Sequence, residues 1–246
     1  MTYCVGLRLS SGLLFMADTR TNAGVDNIST FKKMYTWVVP GERFIMMMTA
    51  GNLATTQTVI SMIEEHSKAA GDREPSILKA PSMFEVATIV GRTLRSVISE
   101  ASAGGQTAES TFNATMIVGG QIANGETRMF MVYPEGNFIE ASDDTPFFQI
   151  GETKYGRPIL VRAFEPDMAV EEATKLLLVS FDSTIKANLS VNLPLDMVAY
   201  EAGTMRQGLT RRFEADNDYY AMISSNWGEA LRSAFSSLPD PVFDPE

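Results

Sequence analysis

The sequence predicts an α+β fold, a four-layer αββα sandwich in which two antiparallel sheets face each other and helices flank both. Three observations predict it. The β-like runs come in groups separated by long helical patterns, without the βαβ alternation that a parallel doubly wound sheet requires. Runs such as "RFIMMMTA" and "ATMIVGG" are apolar nearly throughout, the pattern of strands buried on both faces. Short turn signals, "SSG", "PGE", "NGET" and "PEGN", join neighbouring runs closely enough to pair them antiparallel.

The elements follow in order. Residues 3–9 and 13–18 form a hairpin about "SSG", and "KMYTWVV" with "RFIMMMTA" forms a second about "PGE". "GNLATTQTVISMIEEHS" reads as a helix, because Leu53, Val59, Ile60, Met62 and Ile63 recur at helical spacing. Residues 70–81 carry Gly71, Pro75 and Pro81 and read as a loop. "SMFEVATIVGRTLRSVIS" opens on Ser82-x-x-Glu85, a capping box, and is the second long helix. Four short strands follow, "ATMIVGG", "RMFMVYP", "NFIEAS" and "FFQIG", then a mixed stretch, "TKYGRPILVRAF", with the look of a short helix. "DMAVEEATKLLLVSFDSTIKAN" is a third long helix, "LDMVAY" a strand, and "AMISSNWGEALRSAFSSL" a last helix.

A chain of 246 residues can bury a full core as one domain. No repeat, low-complexity stretch or linker divides it, so residues 1–246 read as one domain, with about 213–246 as a C-terminal helical extension. The net charge of −10 argues against nucleic acid and anionic membrane as partners, both of which need a basic surface. No apolar run approaches the ~20 residues of a membrane span. The N-terminus lacks the basic leader and apolar core of a signal peptide. Cys4 is the only cysteine, which excludes an internal disulfide and fits the expected cytoplasmic location. His66 is the only histidine, in an amphipathic helical stretch beside two glutamates, and is expected to face solvent. No GxSxG elbow accompanies it, and one His with one Cys argues against a zinc site, so no metal or cofactor is expected. The chain has no GxxxxGK[ST] phosphate loop. Any chemistry here must use Thr, Ser, Lys, Asp and Glu.

A constellation of such residues gathers around Thr2. If Met1 is discarded, Thr2 carries an amine and a hydroxyl on adjacent carbons, a nucleophile with its own base. A first hairpin centred on Ser11 sets Cys4 opposite Asp18 and Thr2 opposite Arg20, so that Thr2 and Asp18 become diagonal neighbours on one face. "STFKKMY" adds a cation. A lysine beside the amine and hydroxyl lowers the pKa of both, by repelling the ammonium and stabilising the alkoxide. The amine, ordinarily at about 7.7–8.0, can then be neutral and accept the hydroxyl proton. An aspartate beside that lysine holds it in place. In "TAGN", Gly51 stands where a strand gives way to a helix, and its N–H is expected at a helix N-terminus, facing an oxyanion.

"MT" ahead of a strand, "ADTR", "KKMY" and "MTAGN" together resemble the proteasome β-subunit family of N-terminal nucleophile hydrolases, and most nearly its bacterial proteasome-like branch. The resemblance continues through "QIGETKYGRPIL", "AVEEATKLLLVSFDSTI" and "PLDMVAY", covering about residues 2–200. It implies a nucleophilic Thr2, an Asp18–Lys33 pair that tunes it and Gly51 as oxyanion donor. Thr21, Phe31, Thr49 and Leu53 fall where the family lines its substrate pocket. The chain also departs from the pattern. The spacing to Lys33 is one residue shorter than the family's, consistent with a deletion between Gly24 and Lys32. Glu152 stands in "GET" where the family has a serine supporting the amine. Asn188 stands at a family aspartate, with Ser190 or Val191 at the nearby serine position.

The resemblance implies a threonine peptidase or amidase acting on a peptide or protein through a Thr2 ester, without cofactor. It also implies a homo-oligomer, as a closed or an open helical ring, with any ATPase unfoldase on a separate chain. Two other readings stand beside it: a catalytically weak or silent scaffold that keeps the fold for self-association, and an amidase for a small non-peptide amide.

Overall fold

A computed structural model describes residues 2–22, 28–68, 75–103 and 109–243. The chain opens with the strands β1 (Tyr3–Leu9) and β2 (Gly12–Asp18), the short pair β3 (Arg20–Asn22) and β4 (Ile28–Thr30), and the hairpin β5 (Met34–Val39) and β6 (Arg43–Gly51). Helices α1 (Leu53–Lys68) and α2 (Met83–Ser102) follow, then β7 (Ala114–Ile122), β8 (Arg128–Val132), β9 (Phe138–Glu140) and β10 (Phe147–Gly151). Next come α3 (Arg157–Ala163), α4 (Val170–Ala187), β11 (Leu195–Glu201), β12 (Leu209–Phe213) and α5 (Asp218–Ser236). One sheet has the order β10-β1-β2-β11-β12 and the other β5-β6-β7-β8-β9. The pairings within both are antiparallel.

Strand sidedness makes the four layers. Along β6, Phe44, Met46, Met48 and Ala50 point between the sheets, while Ile45 and Met47 join Val59, Ile63, Val86, Val90 and Leu94 under α1 and α2. Along β2, Leu13, Phe15 and Ala17 point between the sheets, while Leu14 and Met16 pack with Leu177 and Phe181 of α4 and with Tyr220 and Ile223 of α5. Each central strand thus buries both faces, which is why its sequence is apolar without alternation. The expected αββα architecture is the observed one, and the "IMMM" run is core on both sides.

Helix starts follow local chemistry. Ser82 Oγ accepts the Glu85 N–H at 3.2 Å at the head of α2, and Asn52 Oδ1 accepts the Thr55 N–H at 3.0 Å at the head of α1. The mixed stretch before α4 resolves into the seven-residue α3, with Pro158 in its first turn. His66 lies partly exposed in the last turn of α1. Among the described residues no helix is long and apolar enough to cross a membrane.

Three features differ from the sequence reading. Cys4 pairs with Ala17, not Asp18, because the first hairpin turns between Leu9 and Gly12 and its register is offset by one. A one-residue offset reverses every facing, so Asp18 is not the same-face diagonal neighbour of Thr2, nor Thr2 the partner of Arg20. β3 and β4 were not foreseen. They are three residues each, carry few apolar side chains and pair only with one another. β12, "LTRRF", also lacks an apolar pattern. It is mostly exposed at the sheet edge and is a strand through its pairing with β11. The proposed deletion between Gly24 and Lys32 spans a stretch of which 24–27 lie outside the described residues.

Phe15 is fully buried between the sheets, in the notch left by Gly6 and Gly119. Phe15→Ala is expected to lower the unfolding free energy by about 3–5 kcal/mol. Gly119→Ala, which drives a methyl into that ring, should cost about 1–3 kcal/mol. Urea denaturation monitored by tryptophan fluorescence checks both.

Candidate active site

Thr2 stands half-buried just ahead of β1, the strand held between β10 and β2. Its carbonyl accepts the Glu152 N–H at 2.7 Å. That bond needs the chain to turn sharply at the end of β10. Gly151 does so with φ +84°, and a Cβ there would strike the Thr2 carbonyl oxygen. Glu152 is only 7% exposed. Its Oε2 accepts Asn188 Nδ2 at 3.0 Å, and Asn188 Oδ1 in turn accepts the Ser190 N–H at 2.9 Å. Asn188 is the C-cap of α4, so the last turn of that helix holds the carboxylate. Glu152, Asn188 and Ser190 therefore form one network reaching back to Thr2.

On the other side lies the Asp18–Lys33 pair. Asp18 ends β2 and Lys33 immediately precedes β5, so the two come from different sheets. Lys33 Nζ meets Asp18 Oδ1 at 2.8 Å, with side chains 5% and 0% exposed. The same Oδ1 accepts the Tyr3 N–H at 2.9 Å, and Lys33 Nζ also donates to the Arg20 carbonyl at 2.6 Å. Asp18 thus reaches the Thr2 end of β1 from a strand terminus and through the backbone of Tyr3. Burial pushes the Asp18 carboxyl above its ordinary pKa, opposed by Lys33 and the Tyr3 N–H. Asp18 Oδ2 is buried without a hydrogen-bond partner. An ammonium has three donors, and two of them serve Asp18 and Arg20.

Gly51 departs from expectation in its context. It is the last residue of β6, and α1 begins two residues later at Leu53. Ladder geometry fixes the direction of its N–H. The Asn52 N–H donates to the Asn113 carbonyl, which makes Gly51 and Ala114 a non-bonded pair. The Gly51 N–H therefore points away from β7, to the side on which the Thr49 N–H donates to the Lys33 carbonyl at 3.0 Å. β5 begins only at Met34, so no strand of that sheet lies opposite Gly51. A donor beside Lys33, directed at open space, suits an oxyanion. Its φ of +119° and the nearness of Asn113 require glycine.

The proposed pocket residues fall on β3, ahead of β5, on β6 and at the head of α1. Thr49 is buried on β6, and its carbonyl lies 3.8 Å from Cys4 Sγ. Burial raises the pKa of that thiol. The Phe31 N–H donates to the Thr19 carbonyl at 2.9 Å. Thr21 lies on β3 with its hydroxyl oxygen buried and unpartnered. Leu53, half-buried, opens α1. The sequence reading missed Tyr3, Gln149 and Ser180, which meet through their side chains behind Thr2. The one available signal was the placement of a tyrosine next to Thr2, since a buried phenol needs a partner. Among the described residues no cluster of His, Cys, Asp and Glu could hold a metal ion.

The family model described as "Proteasome subunit" matches residues 2–193. The chain is 44% identical to the solved Anbu (ancestral beta-subunit) from Yersinia bercovieri, over 98% of this chain and 100% of that one, with a TM-score of 0.91. Anbu from Hyphomicrobium sp. strain MC1 is 48% identical, over 97% and 99% of the two chains, with a TM-score of 0.88. The Pseudomonas aeruginosa Anbu complex, solved as a helical assembly, is 42% identical over 98% of each chain, with a TM-score of 0.91. No curated protein matches the sequence.

Removing one member of a buried ion pair leaves the other without compensation. Lys33→Ala is therefore expected to lower the unfolding free energy by about 3–5 kcal/mol. Asp18→Asn combined with Lys33→Met should recover much of that loss. An unchanged denaturation midpoint for Lys33→Ala would mean that the pair contributes nothing to stability.

Proposed function

Since this chain belongs to the proteasome subunit family, among its Anbu proteins, we propose that it is an N-terminal threonine hydrolase that cleaves amide bonds. The observation that carries this reading is that two buried acidic residues, Asp18 and Glu152, hydrogen-bond the backbone of Thr2 and Tyr3. The Asp18–Lys33 pair lies against the backbone of Tyr3, and Glu152 is hydrogen-bonded to the Thr2 carbonyl.

Removal of Met1 frees the Thr2 amine. The neutral amine takes the hydroxyl proton as Thr2 Oγ1 attacks the substrate carbonyl carbon, while Lys33 stabilises the forming alkoxide and Asp18 orients Lys33. The Gly51 N–H binds the oxyanion. Collapse breaks the C–N bond, and the leaving amine departs with the proton held by the Thr2 ammonium. Water, deprotonated by the same amine, then attacks the Thr2 ester and releases the acid. Glu152, held by Asn188, stands where the family has a serine and acts as the carboxylate partner of the Thr2 ammonium. Thr21, Phe31, Thr49 and Leu53 line the substrate pocket, and Ser190 anchors Asn188.

Intact mass should show loss of Met1 in protein purified from its producing cell, because threonine is small enough for methionine excision. A β-lactone or peptide epoxyketone probe should then add to the wild type at Thr2 and leave Thr2→Ala unlabelled. Processed, assembled wild type that stays inert to amides, esters and both probes would instead support the scaffold reading.

The hydrolase works as a self-associating assembly. The Pseudomonas aeruginosa relative was solved as a helical assembly, and α5 with the residues after it carries apolar side chains that stand exposed among the described residues. On α5, Leu231 and Phe235 are 50% and 77% exposed, and Leu238, Val242 and Phe243 beyond it are 65%, 90% and 84% exposed. Such clustering on a projecting segment marks an interaction surface. Leu231→Asp with Phe235→Asp should lower the mass measured by light scattering, while wild type runs as a multimer. An unaltered mass would place the contacts elsewhere.

A further inference from the structure

We infer that Tyr3, Gln149 and Ser180 are positioning residues of the Thr2 centre, joined in a directional hydrogen-bond chain that holds Thr2 in register with Glu152. The inference rests on the reading of Thr2 as nucleophile, and the geometry behind it is independent of that reading. Ser180 Oγ donates to the Gly156 carbonyl at 3.0 Å. Its single hydrogen is thereby committed. The 2.7 Å contact between Ser180 Oγ and the Tyr3 hydroxyl must then be donated by tyrosine. The Tyr3 oxygen is left as an acceptor, and Gln149 Nε2 donates to it at 2.5 Å. Gln149 Oε1 is buried without a partner, so the bond to Tyr3 is what orients this amide. A flipped amide would set its oxygen against a hydroxyl whose hydrogen already points away. The chain therefore has one sense, from Gln149 through Tyr3 and Ser180 to Gly156.

Each link is seated on an element that also carries part of the centre. Tyr3 follows Thr2, and its own N–H holds Asp18 Oδ1, the oxygen that Lys33 also binds. Gln149 lies two residues before Gly151 on β10. Gly156 lies in the turn between Glu152 and α3, and Ser180 is on α4, two turns before Asn188. Moving the Tyr3 hydroxyl thus shifts Thr2 relative to both Lys33 and Glu152. The fit is close. Tyr3 is fully buried against the Phe181 ring, centroids 4.5 Å apart, and a Cβ at position 156 would strike both the Tyr3 hydroxyl and Ser180 Oγ. Burial pushes the Tyr3 phenol up to about 12, so the chain does not ionise or reverse at working pH.

Acylation kinetics with a β-lactone probe test the inference on the processed, assembled protein. Tyr3→Phe and Ser180→Ala should each slow the maximal acylation rate about 10-fold and leave the half-saturating probe concentration within about twofold. Because both hydroxyls belong to one chain, the double variant should be no more than about twofold slower than either single one. Hydrogen–deuterium exchange gives a readout that needs no turnover. Both variants should speed exchange of the peptide carrying Gly151 and Glu152 at least about 10-fold, while the β6 peptide over 43–50 exchanges as in wild type. Unchanged exchange at Glu152 overturns the inference, as does wild-type acylation in both variants or a double variant in which the two losses multiply. A wild type that ignores the probe would defeat the hydrolase reading alone, and the exchange result would still decide the role of the chain.

Discussion

The ion pair between Asp18 and Lys33 is the interaction on which the candidate site depends, because its partners come from different sheets. Asp18 ends a strand of one sheet and Lys33 precedes a strand of the other. Both are almost wholly removed from water. Neither charge could remain there alone, since burying an unpaired charge costs several kcal/mol. The sandwich must therefore close with its two sheets in one relative placement for either side chain to be tolerated. The Cys4 Sγ contact to the Thr49 carbonyl and the inter-sheet packing of Phe15 against Gly6 and Gly119 favour the same placement.

That placement carries the rest. With Lys33 fixed, the Thr49 N–H is bound to its carbonyl and Gly51 is carried past the start of β5, where its N–H faces open space. With Asp18 fixed, the Tyr3 N–H is bound and the start of β1, with Thr2 just ahead of it, is held in place. Glu152 approaches from the third side on the turn after β10. The site is thus a junction of strand ends and turns, which is where backbone donors and acceptors remain unspent by the ladders.

Glu152 and Asn188 show how a departure from a family pattern can be locally coherent. A carboxylate stands where a serine is usual and an amide where an aspartate is usual, yet the two bond to each other at 3.0 Å. Read singly, each looks like a lost function. Read together, they form a network in which the Glu152 backbone N–H binds the Thr2 carbonyl and its carboxylate accepts from Asn188 at the end of α4.

The sequence by itself determined the layers and the long helices, and it singled out the residues proposed to bear the chemistry. Strand runs apolar on both faces admit few architectures, and the spacings around Thr2, Asp18, Lys33 and Gly51 are local properties of the chain. Short polar strands were not legible, because β3, β4 and β12 are strands only through their partners. The register of the first hairpin was not legible either, since a turn signal does not distinguish loops that differ by one residue. Only the tertiary structure decided that Asp18 reaches the centre through the Tyr3 N–H, that Glu152 is buried beside Thr2, and that Tyr3 meets Gln149 and Ser180. Those contacts join residues up to 177 positions apart. Their partners are selected by how the layers stack and by the need of buried polar groups for hydrogen bonds, which only the closed fold supplies.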